Sequence, residues 1–123
     1  MILYINTTCG NDIEVALKKG SRVVRANKIE APYKQAEKLL PQIDRLLKES
    51  DVKLTDISGV EVENKGGTWT SLRIGVVLAN TLSYALNIPI EGMSGAKISK
   101  KGLNIVKPVY NKEPSISKPA KVL

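Results

Sequence analysis

The 123-residue chain contains no histidine and only one cysteine, Cys9. A single thiol cannot close an internal disulfide, and without an imidazole both cysteine–histidine catalysis and most zinc sites are excluded. Phenylalanine is absent as well, which leaves one tryptophan and four tyrosines. A core must then be assembled from Leu, Ile, Val and Ala, which suits a sheet covered by helices. No apolar stretch approaches the ~20 residues of a spanning helix, and Met1 to Ile5 is too short for the hydrophobic region of an export signal. The expectation is a cytoplasmic protein with no membrane contact. Basic residues exceed acidic ones by seven, and they are densest from about position 97 to 121. Neither an arginine-rich cluster nor interleaved aromatics that would stack bases accompany them, so the surplus supports sequence-independent attraction to RNA and no more.

What is present is the material of one globular body, 42% hydrophobic and 25% charged. Met1 to Thr8 is an apolar, β-prone run that ends in the turn formers Gly10-Asn11-Asp12, and Ile13 to Leu17 alternates. Lys19-Gly20-Ser21 is a second turn, and Arg22 to Ile29 is rich enough in β-branched residues for a third strand. After Pro32 the period changes. Ala36, Leu39, Leu40, Ile43, Leu46 and Leu47 form the stripe of an amphipathic helix over Tyr33 to Ser50, with Pro41 predicting a kink or a fresh helical start. Ile57 to Glu63 reads as a strand, Ser71 to Asn87 as a helix that is apolar nearly all round, and Ile88 to Met93 as a short strand. Beyond Ser94 the chain is rich in Lys, Pro and Ser, with one further strand expected at Ile105 to Tyr110. The predicted class is α/β, a mixed five-stranded sheet that opens with a three-strand meander and is covered by helices.

Four separated stretches carry a family resemblance. Met1 to Thr8 looks like an opening strand followed by an Asp-Thr-Ser turn, and Glu37-Lys38-Leu39-Leu40-Pro41 resembles a His-Ser-Glu-x-Leu-Leu-Pro signature with Gln35 and Ala36 in place of His and Ser. Lys65 to Gly75 is similar to Gly-Pro-Gly-Ser-Phe-Thr-Gly-Leu-Arg-Ile-Gly, keeping Gly67, Thr70, Leu72, Arg73, Ile74 and Gly75, with Trp69 as the aromatic. Ala85 to Ser94 resembles the helix end and strand that follow. These are features of the TsaB (YeaZ) family, whose fold belongs to the actin-like (ASKHA, ribonuclease H-like) superfamily. The resemblance covers about the first 95 residues. It implies an N-terminal lobe at 1–95 and a basic, partly disordered C-terminal segment at 96–123.

Each residue that invites chemistry has a plain reading beside it. Actin-like phosphotransferases place an aspartate at the end of the first strand to support Mg²⁺ and phosphates, whereas Asn6 here has no charge to offer a cation and suits a turn hydrogen bond. Gly66 to Thr70 opens a helix, where backbone N–H groups can bind anions, but lacks the spacing of a P-loop, and Thr70 or Ser71 is expected to cap the helix instead. Glu37 and Glu61 read as solvated charges, and Cys9 as an inactive turn residue. Arg73 is open between a surface charge, a partner contact and a ligand for a carboxylate.

The resemblance implies a non-catalytic subunit without cofactor or metal, serving threonylcarbamoyladenosine formation in transfer RNA. Its partner would be a TsaD-like catalytic subunit, with a TsaE-like ATPase as a further partner, a homodimer through the same helices as an option, and only weak or indirect contact with tRNA. The rival readings are a small basic tRNA-binding protein and a free-standing nucleotide-binding or peptidase-like remnant. The second helix needs one face for the sheet, which leaves apolar residues elsewhere on it for association. The expected interface is Leu72, Arg73, Ile74, Gly75, Val77, Leu78, Thr81 and Ala85, joined by Leu39 and Ile43 of the first helix. Small members such as Gly75 and Ala79 would let a partner helix approach closely.

Overall fold

The computed structural model describes residues 1–95, 97–100 and 103–109. Strands β1 (Ile2–Asn6), β2 (Asp12–Lys19) and β3 (Arg22–Glu30) form an antiparallel meander. Helix α1 (Gln35–Glu49) leads through a 3-10 turn to β4 (Gly59–Val62), and α2 (Trp69–Leu86) leads to β5 (Ile90–Gly92). The strand order is β3-β2-β1-β4-β5, with β4 parallel to both β1 and β5. This is the mixed, helix-covered, five-stranded sheet that the residue pattern predicts. A two-stranded hairpin, β6 (Lys97–Lys100) and β7 (Leu103–Val106), makes a second sheet.

The turns follow from local chemistry. Lys19 pairs with Arg22, so the β2–β3 loop has two residues, and Gly20 takes φ +65°, a value that only glycine adopts freely. Register then assigns the faces. Leu3 stands between Leu17 and Val60, and Ile5 between Val15 and Val62, so two rows of fully buried side chains cross three strands. A slip of one residue would turn both rows to the opposite face. That opposite face is polar: Lys18 pairs with Glu61 at 2.6 Å, and the Tyr4 hydroxyl donates to Glu63 at 2.9 Å. Burial, reinforced by Glu63, holds the Tyr4 phenol above its ordinary pKa, so it stays a donor. Edge strand β3 is exposed over most of its length and carries Arg22, Arg25, Lys28 and Glu30, charges that discourage another strand from pairing with it.

Helix α1 buries Leu39, Ile43, Leu46 and Leu47 on its sheet-facing stripe. It runs unbroken through Pro41, so the fresh start expected there does not occur. Pro41 and Glu37 are both exposed, and the carbonyl of Glu37 that loses its helical donor faces water rather than core. At the other end Glu49 accepts from Asn27 at 3.0 Å and Arg45 at 2.9 Å. These contacts, Asn27 first, hold its carboxyl below the usual range.

Helix α2 starts two residues earlier than expected because Thr68, not Thr70 or Ser71, is its cap: the Thr68 hydroxyl accepts from the Ser71 N–H at 3.1 Å. It ends at Asn87, in the left-handed region at φ +55°. Its all-round apolar character has a direct cause, because the sheet covers one side and β7 another. Val106 of β7 is buried in the same core as Leu72 and Val76. The Asn80 carboxamide donates to the Val106 carbonyl and accepts from the Val106 N–H, both at 2.8 Å, and so acts toward β7 as a strand neighbour would. Buried Asn64 binds the carbonyls of Gly95 and Lys107 and the N–H of Ser94. The strand expected at Ile105 to Tyr110 thus lies at Leu103–Val106. Tyr110 falls outside the described residues, as does the remainder of the C-terminal segment expected to be partly disordered.

Asn80→Ala should therefore release β7, because two backbone groups of Val106 lose their partners, at a cost of about 1–3 kcal/mol. The Val106 amide should then exchange with solvent much faster, while amides of β1 and β2 keep most of their protection. Unchanged exchange at Val106 would show that β7 is held by something else.

Candidate interaction groove

The two helices meet the sheet at one buried polar junction. Thr7, directly after β1 and fully buried, donates its hydroxyl to the Ser71 carbonyl at 2.5 Å and accepts the Gly75 N–H at 3.2 Å. Ser71 donates its own hydroxyl to Gln35 Oε1 at 2.5 Å. Gln35 Nε2 reaches the carbonyls of Thr7 at 3.2 Å and Asp12 at 2.9 Å. Strand end, hairpin loop, α1 and α2 are thereby tied in a few bonds, and few of the buried polar atoms here lack a partner. Gly75 is required at this point: a Cβ there would stand 2.7 Å from Thr7 Oγ1.

The residues considered for chemistry are spread apart or already committed. Asn6 Oδ1 accepts from the Thr8 N–H at 2.8 Å and the Thr8 hydroxyl at 2.6 Å, the turn-forming bonds its residue type favours. Its Nδ2 points at the sulfur of exposed Cys9, 3.6 Å away. Gly67, at φ +70°, lies so close on Thr8 that a Cβ would come within 2.7 Å of the Thr8 carbonyl oxygen. Glu61 is ion-paired on the polar face of the sheet, and Glu37 lies in the first turn of α1, so the two carboxylates do not converge. Among the described residues no group of three or more His, Cys, Asp or Glu could hold a metal ion.

Beyond the junction α1 and α2 enclose an open groove of about 500 Å³, lined by Ala36, Leu39 and Leu40 of α1 and by Thr70, Arg73, Ile74, Val77, Leu78 and Thr81 of α2. Of the residues expected to meet a partner, Arg73, Ile74, Val77, Leu78 and Thr81 line this groove, and Leu39 forms part of its wall although it is only 1% exposed. Ala85 is exposed on the same helix. Leu72, Gly75 and Ile43 are corrections. Leu72 and Ile43 are 2% and 1% exposed in the core, and Gly75 is closed off by Thr7, so the protein's own packing has used them. Ala79 is likewise fully buried and gives no close approach to another helix.

The groove floor is more apolar than its composition suggests. Thr81 donates its hydroxyl to the Val77 carbonyl at 2.8 Å, which satisfies the polar atom within the helix. Leu40 and Val77 are more than half exposed, at 53% and 58%, and Tyr84 is exposed at 75%. Leu40 lines the groove but was not among the expected contacts, although its place on the apolar stripe of α1 was legible. Arg73 is the charged member of the lining, and its guanidinium sits 5.8 Å from the centre of the Trp69 ring, one turn back.

Comparison with known proteins yields a consistent set of relatives. A family model described as "TsaD: tRNA N6-adenosine threonylcarbamoyltransferase" matches residues 30–105. The chain is 31% identical over 93 residues to the tRNA threonylcarbamoyladenosine biosynthesis protein TsaB of Bacillus subtilis, covering 76% of this chain and 40% of that protein. It is 30% identical over 103 residues to a tRNA N6-adenosine threonylcarbamoyltransferase of Treponema pallidum, covering 72% of this chain and 29% of that one. Among solved structures, YeaZ from Pseudomonas aeruginosa superposes with a TM-score of 0.66 at 27% identity, over 72% of this chain and 41% of that one. The chain thus spans less than half the length of these relatives.

The junction makes its own test. Gly75→Ala should destabilise the fold by about 1–3 kcal/mol through overpacking against Thr7, read as a lowered Tm. Adding Thr7→Ala should recover part of the loss, because it removes the atoms the new methyl meets, so the two changes should couple rather than add. Strict additivity would mean that the contact is not the source of the cost.

Proposed function

The chain belongs to the family of TsaD and TsaB (YeaZ), and from that premise we propose that it is a cytoplasmic, non-catalytic partner subunit in threonylcarbamoyladenosine formation on transfer RNA. It docks on a TsaD-like catalytic subunit through the groove between α1 and α2. The observation that carries this reading is the apolar, solvent-open face formed by Leu40, Ile74, Val77, Leu78 and Thr81 between the two helices. A TsaE-like ATPase is a further partner in this reading, tRNA is contacted weakly or through the assembly, and self-association would use the same helices. Among the described residues no helix is long and apolar enough to cross a membrane.

The alternative of a nucleotide-using enzyme draws on the relatives named as transferases, and residue chemistry speaks against it. The residues at the carboxyl ends of β1 and β4 do not suit Mg²⁺–ATP. Asn6 is uncharged and its oxygen is committed to Thr8, and Gly67 is pressed on the Thr8 backbone. Asn64 and Lys65 are joined to Val109, which lays the protein's own chain beside the end of β4. We infer a subunit that performs no phosphoryl or acyl transfer of its own.

Two measurements test this reading. Val77→Glu or Thr81→Glu should raise the Kd for a TsaD-like subunit by at least about 100-fold, because a carboxylate would be trapped in an apolar contact. Both positions are exposed, so the Tm should move by no more than a few degrees. Leu78→Glu is a poorer probe, since Leu78 also packs against the core. Failure of the wild type to bind a TsaD-like subunit would overturn the reading, and salt-dependent binding to tRNA alone would favour the basic tRNA-binding alternative. Calorimetry with Mg²⁺–ATP should show no binding in the low micromolar range, equivalent to roughly −7 to −8 kcal/mol.

A further inference from the structure

The groove specifies its occupant more closely than by being apolar. Its walls are two helices whose backbone groups are bonded within themselves, so it has no strand edge to offer. An occupant must satisfy its own N–H and C=O groups, and in an apolar groove a helix does so most simply. The occupant must also answer a charge. Ion pairs among the described residues use Lys18, Arg25, Lys28, Arg45 and Lys48 as cations. Arg73 instead rests beside the Trp69 ring, its planar fork at one end of the stripe formed by Ile74, Val77 and Thr81. A ring contact of this kind, 5.8 Å from the ring centre, does not use the guanidinium's five N–H donors, which leaves the fork for bidentate contact. With a net charge of +7, the chain as a whole also favours an acidic surface over a basic one.

We propose that Arg73, shelved on Trp69, is the specificity contact of the groove, and that it takes a carboxylate carried by the partner helix that fills the Ile74–Val77–Thr81 stripe. This deepens the docking reading above and rests on it for the partner's identity. The apolar stripe supplies affinity. The Arg73–carboxylate pair sets register along the groove and rejects helices that place a neutral or basic residue there. In this proposal Trp69 is a positioning residue that acts through Arg73.

Trp69 is the single tryptophan of the chain, so its fluorescence reports occupation of this end of the groove directly. The experiment titrates the full chain with a TsaD-like subunit at low and high salt, as wild type and as Arg73→Gln, Arg73→Lys and Trp69→Leu, each checked by circular dichroism. Arg73→Gln should weaken binding about tenfold or more, the range of a lost charge-assisted pair, and should flatten the salt dependence. Arg73→Lys should restore the salt dependence without full affinity, because an ammonium lacks the fork. Trp69→Leu should give a smaller loss, followed by an extrinsic label. If the TsaD-like subunit binds the wild type and Arg73→Gln equally at both salt concentrations, the carboxylate contact is wrong while the docking reading stands. If that subunit does not bind but the chain self-associates with the same Arg73 and salt dependence, the docking reading falls and the contact survives with a second copy as helix donor. If neither association depends on Arg73, or neither occurs, the proposal is overturned.

Discussion

The Thr7 hydroxyl is the constraint on which the rest of the arrangement depends. It is fully buried, gives its proton to the Ser71 carbonyl and accepts the Gly75 N–H. Those two bonds pin α2 against the end of β1 at a distance that only glycine at position 75 permits. Ser71 then passes the constraint to Gln35, and with it to α1. A buried polar group without partners costs on the order of 1–3 kcal/mol, so a connected set of this kind holds one geometry and penalises neighbouring ones.

From that junction the division of surfaces follows. Both helices are committed to the same face of the sheet, over the rows Leu3–Leu17–Val60 and Ile5–Val15–Val62, while the other face is finished with Tyr4, Lys18 and Glu61. With α1 and α2 tied at Gln35 and Ser71, the space between them further along is set by their spacing rather than by side chains filling it, and the groove results. β7 covers a different side of α2 through Val106 and Asn80, and among the described residues the stripe from Arg73 to Thr81 stays open. Apolar surface left open on a small domain in this way is usually an association site.

The family relationship and the groove answer different questions. The relationship places the chain beside relatives named for threonylcarbamoyladenosine formation, of which it spans less than half. The groove supports a binding role rather than a chemical one, which is the basis of the proposal above, because its lining is aliphatic apart from two threonines and Arg73. Residues that suggest catalysis by their type, Asn6 and Cys9, are engaged with one another and with Thr8 in a turn.

Alternation marked β2 and period marked the helices, because burial on one face imprints a repeat that needs no knowledge of its neighbours, while β-prone composition between turn formers marked β1 and β3. The Leu-Arg-Ile-Gly run and the family resemblance were equally legible, as was the surplus of apolar residues on α2. The sequence could not say which of those residues were surplus. Leu72, Ile43 and Gly75 look the same on paper as Ile74, Val77 and Leu78, and only the packing of α2 against Thr7 and of α1 against the sheet consumed the first set and left the second. The same holds for Asn64 and Asn80, polar residues with no local pattern, which became anchors for β7 because side-chain hydrogen bonds join groups 26 to 43 residues apart. Local pattern determined the elements; which faces of them remain open was decided by contacts between distant residues, whose energies depend on three-dimensional distance and leave no periodic trace in the chain.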